Sequence, residues 1–235
     1  MKNFFLGKGK YTELKDKIFL KDLDGVSLTF KEFNEHVDYQ IAIFKKNKLN
    51  EKDPLLLVCS NSIRCSIIIF AAIKYGLKLI TLTSNPTNLE LSNMIDEFKP
   101  KVVITLDKSL LKYKKINIKF LLIKNSLASK LEIKKILKVS NKGYLIVKSS
   151  GTTGLGKNIC ISFKKLWESG ENFCKLHNVS YDAVFWNYLP FSYIGGLFNL
   201  LILPATSGST ILIDRSFNST MLLSFISIIK KLILL

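Results

Sequence analysis

The loop KSSGTTGLGKN, residues 148–158, concentrates the side chains of this chain that could do chemistry on a phosphate. Glycines let a ligand approach the backbone closely, and clustered hydroxyls beside a lysine suit the oxygens of a polyphosphate. The sequence therefore predicts a phosphate-binding loop. The residues expected to hold the phosphates are Ser149, Ser150, Gly151, Thr152, Thr153, Gly154 and Lys157.

Two other interpretations of this loop stay open. Gly151, Gly156 and Lys157 satisfy most of the Walker pattern G-x-x-x-x-G-K-S/T, but Asn158 stands where a hydroxyl should bind magnesium. A Walker loop runs directly into a helix, whereas the segment NICIS after this loop alternates as a strand does. A helix beginning at Asn158 would favour a Walker-type nucleotidase. The other alternative is a plain hairpin turn that binds no ligand.

The elements before the loop predict an α/β fold. IFLKD and VSLTF, joined across residues 23–25, indicate a hairpin. Thr29 and Glu32 have capping-box spacing and predict the start of a helix. The apolar runs PLLLVCS, LKLITL and KVVITL are typical of strands buried on both faces, and helical patterns over 64–75 and 88–98 separate them. This alternation predicts a doubly wound layout with a mostly parallel sheet and flanking helices.

The elements after residue 107 continue the same alternation. KFLLI and GYLIVKS predict strands, and SLASKLEIKKIL between them predicts a helix. Behind the loop we expect a helix over 163–176, an extended segment AVFWNYL, a glycine-interrupted segment YIGGLFNLLILP, a strand STILI and a last helix SFNSTMLLSFISIIKKL. The approximate subregions are 1–142 for a first α/β unit and 143–235 for the loop and a second unit.

The composition argues against nucleic acid and membrane partners. The net charge is +17 over 235 residues, but almost all of it is lysine scattered along the chain, and base readout favours arginine. The longest apolar stretches are interrupted by lysines, so no transmembrane segment is expected, and the short apolar run near residue 1 predicts no signal peptide. Few cysteines without a close pair indicate buried free thiols (Cys59, Cys65, Cys160 and Cys174) in a cytoplasmic protein, and no protein metal site.

The titratable side chains outside the loop predict no catalytic residue. His36 and His177 are the only histidines, and we interpret each as a surface or packing residue because they lie far apart in the sequence. Asp182 and Asp214 are interpreted as turn residues. No catalytic residue is therefore assigned within the chain.

The complete pattern resembles the adenylate-forming enzymes, which include acyl- and aryl-CoA ligases, luciferases and peptide-synthetase adenylation domains. Their phosphate loop runs Ser/Thr-Ser-Gly-Ser/Thr-Ser/Thr-Gly-x-Pro-Lys-Gly, and SSGTTGLGK is similar to it. TFKEFNEHVDYQIAIF and the segment from PLLLVCS to TNLEL resemble the family's first helix and first strand–helix–strand unit. YLPFSYIGGLFNLLILP resembles its motif P-x-x-H-x-x-G-L. The chain departs from the family at Gly156, Asn158 and Phe163, and Tyr193 stands where the family often has the aromatic gate histidine.

The resemblance implies a fold and an activity. The fold would be part of the large N-terminal domain of an adenylate-forming enzyme. The family reaction joins a small carboxylic acid to ATP, with Mg²⁺ present, giving an acyl-adenylate that a thiol such as coenzyme A then attacks. The resemblance assigns the loop to the ATP phosphates and Tyr193, Gly195 and Gly196 to the acyl pocket.

The same resemblance predicts that the chain is a truncated form of that domain. The family's adenine and ribose residues and its small C-terminal domain, with the catalytic lysine, are not found in residues 1–235. We therefore expect the chain to be incomplete for catalysis, and coenzyme A to act only if a C-terminal part completes the enzyme. The alternatives are a partner subunit of a split ligase, with a second chain supplying the rest, or a non-catalytic phosphate-binding remnant.

Overall fold

The computed structural model describes residues 12–58, 60–113, 118–122, 142–148, 158–215, 217, 219–220, 223 and 232–233. The chain divides into two compact units. The first comprises residues 1–35, 61–66 and 164–235, and the second comprises 36–60 and 67–163.

The secondary structure alternates between strands and helices along most of the described chain. In chain order the strands are β1 (Ile18–Asp22), β2 (Ser27–Thr29), β3 (Pro54–Val58), β4 (Lys78–Leu82), β5 (Val102–Thr105), β6 (Lys119–Leu122), β7 (Tyr144–Lys148), β8 (Asn158–Ser162), β9 (Val184–Asn187), β10 (Thr210–Ile213) and β11 (Leu232–Ile233). The α-helices are α1 (Phe30–Lys46), α2 (Ile63–Tyr75), α3 (Asn88–Phe98), α4 (Phe163–Leu176) and α5 (Leu203–Ser207); a 3₁₀ helix covers Lys108–Tyr113 and a π-helix covers Gly195–Ile202.

The first unit is built on a sheet of order β11-β9-β10-β1-β2. Its strands are parallel except for β2, which pairs antiparallel with β1. Gly25 turns the chain between them with a φ of +90°, a conformation that glycine adopts without strain. Thr29 and Glu32 then cap α1 reciprocally, with hydrogen bonds of 3.2 and 2.8 Å. The predicted hairpin and helix start are therefore confirmed.

The second unit is built on a sheet of order β6-β5-β3-β4-β7-β8. All its neighbours are parallel except β7 and β8. The inner strands are buried on both faces, and residues such as Leu56, Ile80 and Val103 form one core cluster with α3. A capping box of Thr87 and Glu90 begins α3. Burial of apolar surface on both faces explains the continuous apolar runs of these strands.

The observed architecture matches the predicted mixed, mostly parallel sheets flanked by helices, with two corrections. Residues 219–220 and 223 of the predicted last helix are helical, but Leu232–Ile233 is a strand that pairs with β9. The apolar segment thus forms a strand at Leu232–Ile233, because its backbone N–H and C=O groups pair with those of β9. Cys65 and Cys174 are buried, but Cys160 is exposed on the edge strand β8.

The predicted helix SLASKLEIKKIL and Cys59 lie outside the described residues. No helix within the described part of the chain is long and apolar enough to cross a membrane.

Candidate active site

Two paired strands hold the ends of the phosphate loop. β7 and β8 are antiparallel, with Lys148 and Asn158 as opposite partners in the register. β7 also runs parallel to β4, so the chain enters the loop from the carboxyl end of a parallel strand. Ligands of open α/β sheets bind outside the carboxyl ends of the strands. The loop ends therefore lie side by side at the edge of the sheet where such folds bind ligands.

This hairpin is anchored within the second unit at both ends. At its base, the Phe163 N–H donates to the Gly143 carbonyl at 3.2 Å. A side chain on Gly143 would lie 2.8 Å from the Leu77 carbonyl oxygen and 2.7 Å from the Phe163 ring, so only glycine fits there. At the loop end, the Asn158 amide donates to the Glu97 carboxylate of α3. The two strands that flank the predicted phosphate loop are thus held by packing at Gly143 and by a hydrogen bond at Asn158.

The start of β8 decides between two of the interpretations of the loop. A Walker loop requires a helix at its end, but Asn158 begins a strand of five residues that pairs along its length with β7. The Walker interpretation is therefore wrong. The predicted phosphate ligands themselves lie outside the described residues, and they are Ser149, Ser150, Gly151, Thr152, Thr153, Gly154 and Lys157.

The three predicted acyl-pocket residues lie together in the first unit, at the start of the π-helix. Tyr193 is 58% exposed, and its backbone N–H donates a hydrogen bond of 3.0 Å to the Pro190 carbonyl. Gly195 lies under the Tyr193 ring, since a Cβ at Gly195 would be 2.7 Å from it. A Cβ at Gly196 would be 2.3 Å from two carbonyl oxygens, those of Leu189 and Pro190. Gly196 therefore permits close backbone packing, and Gly195 permits the observed position of Tyr193.

The π-helix is held by a buried side chain that the sequence analysis did not single out. Asn187, at the end of β9, is fully buried, and its amide donates to the carbonyls of Gly196 and Leu200 at 3.1 Å each. Single turns of π-helix occur frequently at functional sites. The glycine pair in YIGGLF signalled an irregular segment, but nothing local in the sequence indicated that Asn187 would bond to it.

Asn61 was also missed, and it contacts three separate positions of the first unit. Its Nδ2 donates to the carbonyls of Leu189 at 2.8 Å and Asp214 at 3.0 Å, and its Oδ1 accepts from the Phe191 N–H at 3.0 Å. These partners are 128 to 153 residues away in the sequence. A hydrophobic run followed by a lone asparagine gives no signal of such distant partners.

Asp214 is more than a turn residue. It is 8% exposed and accepts a hydrogen bond of 3.3 Å from the Trp186 indole N–H. It also lines a cavity of about 160 Å³ at the carboxyl ends of β1 and β10, together with Asp22, Asn61 and Ser62. Asp182, by contrast, is exposed and accepts from the hydroxyl of Ser180, as expected in a turn.

The two histidines take packing positions. His36 is 7% exposed. His177 is exposed on the surface, with its ring centroid 4.3 Å from that of Phe173. The interpretation of both as surface or packing residues agrees with these positions.

Comparison with known proteins identifies the family and the fold. The family model described as AMP-binding enzyme matches residues 10–232. The structure of ATP-bound MatB from Rhodopseudomonas palustris is similar with a TM-score of 0.83 and 17% identity, over 93% of this chain and 46% of MatB. The NpsA N-terminal subdomain from Klebsiella oxytoca, in complex with 3-hydroxyanthranilyl-AMSN, has a TM-score of 0.76 and 16% identity, over 95% and 57% of the two chains.

These likenesses concern the N-terminal domain of adenylate-forming enzymes. The chain spans about half the length of the solved structures it matches, 46% for MatB and 57% for NpsA. No curated protein sequence matches it.

Proposed function

Because this chain belongs to the AMP-binding enzyme family, which its match over residues 10–232 shows, we propose that it binds ATP as the phosphate-binding portion of an adenylate-forming ligase. The ligase activates a carboxylic acid by forming an acyl-adenylate and releasing pyrophosphate. A thiol then accepts the acyl group, and coenzyme A is the proposed acceptor when a C-terminal part completes the enzyme.

One observation carries this proposal. The segment SSGTTGLGK joins two paired strands, and its ends lie opposite each other at Lys148 and Asn158. The chain therefore presents hydroxyls and glycines between two anchored strands rather than before a helix. This arrangement supports a loop that surrounds a polyphosphate with side-chain hydroxyls and backbone N–H groups.

The proposed chemistry of the loop is positioning and charge stabilisation. The hydroxyls of Ser149, Ser150, Thr152 and Thr153 would donate to oxygens of the β- and γ-phosphates, and Lys157 would add a positive charge. Such contacts stabilise the negative charge that pyrophosphate carries as it leaves. Magnesium enters in this proposal bound to the ATP phosphates, because Mg²⁺ usually binds substrate phosphates rather than an all-protein cage.

The proposed contact for the acyl group is the start of the π-helix, within the first unit. Tyr193 is exposed there, Gly195 lies under its ring, and Gly196 packs closely against the backbone of Leu189 and Pro190. We propose that the Tyr193 ring contacts the acyl group of the acid. The identity of the acid is set by a pocket of which these residues form only one part.

The test is a pyrophosphate–ATP exchange assay with a panel of four acids: acetate, octanoate, benzoate and succinate. We expect acid-dependent exchange in the wild type, alone or mixed with a second chain that completes the enzyme, and its loss in the Thr152→Ala, Lys157→Ala double variant. The matched control is Ser27→Ala, Lys31→Ala, which removes a hydroxyl and an amine from exposed positions in the first unit.

The assay separates the proposal from its alternative. If the wild type binds ATP but supports no exchange with any acid, alone or completed, the chain is a non-catalytic phosphate-binding protein. If the double variant exchanges as fast as the wild type, the loop does not hold the phosphates.

A further inference from the structure

The segment from Leu189 to Gly196 is fixed by two buried asparagine side chains. Asn61 binds its first part, at Leu189 and Phe191. Asn187 binds its last part, at Gly196. All these residues belong to the first unit. The exposed Tyr193 lies between the two fixed points, so its backbone position depends on both asparagines.

The hydrogen bonds of Asn61 use both the donor and the acceptor groups of its side-chain amide. Its two N–H groups face two carbonyl oxygens and its oxygen faces one N–H, with distances between 2.8 and 3.0 Å. Asn61 is 4% exposed, so water does not compete freely for these groups. An aspartate of the same shape could accept from Phe191 but has no N–H to donate, and a leucine could do neither.

The connection from Asn61 to Tyr193 is short. The Asn61 oxygen holds Phe191, two residues before Tyr193, and the Tyr193 N–H in turn bonds to the Pro190 carbonyl at 3.0 Å. The Tyr193 carbonyl then accepts from the Leu197 N–H at 3.0 Å within the π-helix. The Asn61 side chain is therefore connected to Tyr193 through the backbone hydrogen bonds of the turn that carries it.

We propose that Asn61 is a positioning residue for binding of the acid, which it serves by fixing the turn that bears Tyr193. This inference rests on the proposed function, since it assumes that Tyr193 contacts the acid. In this role Asn61 acts through the turn rather than directly on the acid. We expect it to set the affinity for the acid rather than the affinity for ATP, because its hydrogen bonds go to Leu189, Phe191 and Asp214 of the first unit.

The experiment compares three variants with the wild type. Asn61→Leu removes all three hydrogen bonds, and Asn61→Asp keeps the acceptor that faces the Phe191 N–H. The matched control is Asn47→Leu, which removes one asparagine-to-carbonyl bond, 2.8 Å to Ile43, in the second unit. For each we measure amide hydrogen exchange at Phe191, the dissociation constant of ATP–Mg²⁺, and the dissociation constant of each of the four acids in the presence of ATP.

The expected result is a split between the two ligands. In Asn61→Leu, exchange at Phe191 becomes about tenfold faster, as expected for losing the hydrogen bond of a buried amide. The acid that binds the wild type binds about tenfold more weakly, whereas ATP–Mg²⁺ stays within about twofold. Asn61→Asp keeps an acceptor for the Phe191 N–H but places its other carboxyl oxygen against the carbonyls of Leu189 and Asp214, so we expect the protection of Phe191 to lie between that of the wild type and that of Asn61→Leu. Asn47→Leu resembles the wild type in every measurement.

Three results would overturn the inference. Exchange at Phe191 and acid affinity that stay within twofold in Asn61→Leu would show that Asn61 does not fix the turn. Equal weakening of acid and ATP would make Asn61 a general stabiliser of the fold. A wild-type chain that binds none of the four acids would remove the proposed function and the acid-positioning role together, and this failure is recognised in the wild type before any variant is made.

Discussion

Adding one methyl group to Gly196 should destabilise the protein far more than adding it to Gly195. A Cβ at Gly196 would lie 2.3 Å from the carbonyl oxygens of both Leu189 and Pro190. Both obstacles are backbone atoms, and the Leu189 carbonyl is also held by the Asn61 amide at 2.8 Å. The clash can therefore be relieved only by moving a turn that is fixed elsewhere.

Gly195 provides a matched control one residue away. A Cβ added at Gly195 would lie 2.7 Å from the Tyr193 ring, and its three closest contacts are all side-chain atoms. Because the Tyr193 side chain is 58% exposed, the ring can turn towards solvent. The same substitution at two successive helical positions thus meets a rigid obstacle in one case and a movable one in the other.

The magnitudes follow from two opposing effects. Replacing glycine by alanine within a helix stabilises it by up to about 1 kcal/mol. Overpacking costs about 1–3 kcal/mol and occasionally more, and the two contacts at Gly196 are shorter than any that real Cβ atoms show. We expect Gly196→Ala to lower the free energy of unfolding by about 3 kcal/mol and Gly195→Ala to change it by less than about 1 kcal/mol.

The assay is urea unfolding followed by circular dichroism, with the midpoint and slope compared for both variants. Failure of Gly196→Ala to fold, beside a Gly195→Ala protein that folds normally, would agree with the reasoning. Equal stability of the two variants would refute it, because the backbone obstacle at Gly196 would then not exist.

Two further predictions concern charged side chains. Lys74 and Asp38 form a buried ion pair with a distance of 2.5 Å and side-chain exposures of 6% and 9%; Lys74→Met should cost about 3–5 kcal/mol in urea unfolding by leaving a buried carboxylate unpaired, and the Lys74→Met, Asp38→Leu double variant should recover much of that loss. Burial lowers the pKa of Lys17 to about 8, partly offset by the nearby carboxylate of Asp182. The folded protein thus holds this proton less tightly than the unfolded chain between about pH 8 and pH 10.5, so the destabilising cost of the buried charge fades as the pH rises through that window. Relative to Lys17→Met, wild-type stability should therefore rise with pH there, by no more than about 1 kcal/mol since the amine is partly exposed, and a difference that stays flat between pH 7.5 and 10 would contradict this.

Local sequence patterns were sufficient to predict the elements that are determined by residues close together in the sequence. The Thr29–Glu32 capping box appears in the structure at the predicted position. The buried strands were predictable because a strand covered on both faces needs an uninterrupted apolar run. The strand at Asn158 followed from alternation in NICIS, and it excluded the Walker loop.

The missed features depend on distant partners. Nothing near Asn61 in the sequence indicates a bond to Leu189, 128 residues away. The π-helix over Gly195–Ile202 accepts a hydrogen bond from the Asn187 amide of the preceding strand, which a helical pattern alone does not reveal. Leu232–Ile233 forms a strand because it pairs with β9, and a local sequence pattern carries no information about which distant strand is available for pairing.

The most direct test of the central claim, that the loop SSGTTGLGK binds the phosphates of ATP, is a calorimetric titration of the purified, folded chain with ATP–Mg²⁺. We expect binding by the wild type and by the Ser27→Ala, Lys31→Ala control, and no binding by Thr152→Ala, Lys157→Ala. Undiminished binding by the Thr152→Ala, Lys157→Ala variant, or no binding by a wild type shown to be folded, would contradict it.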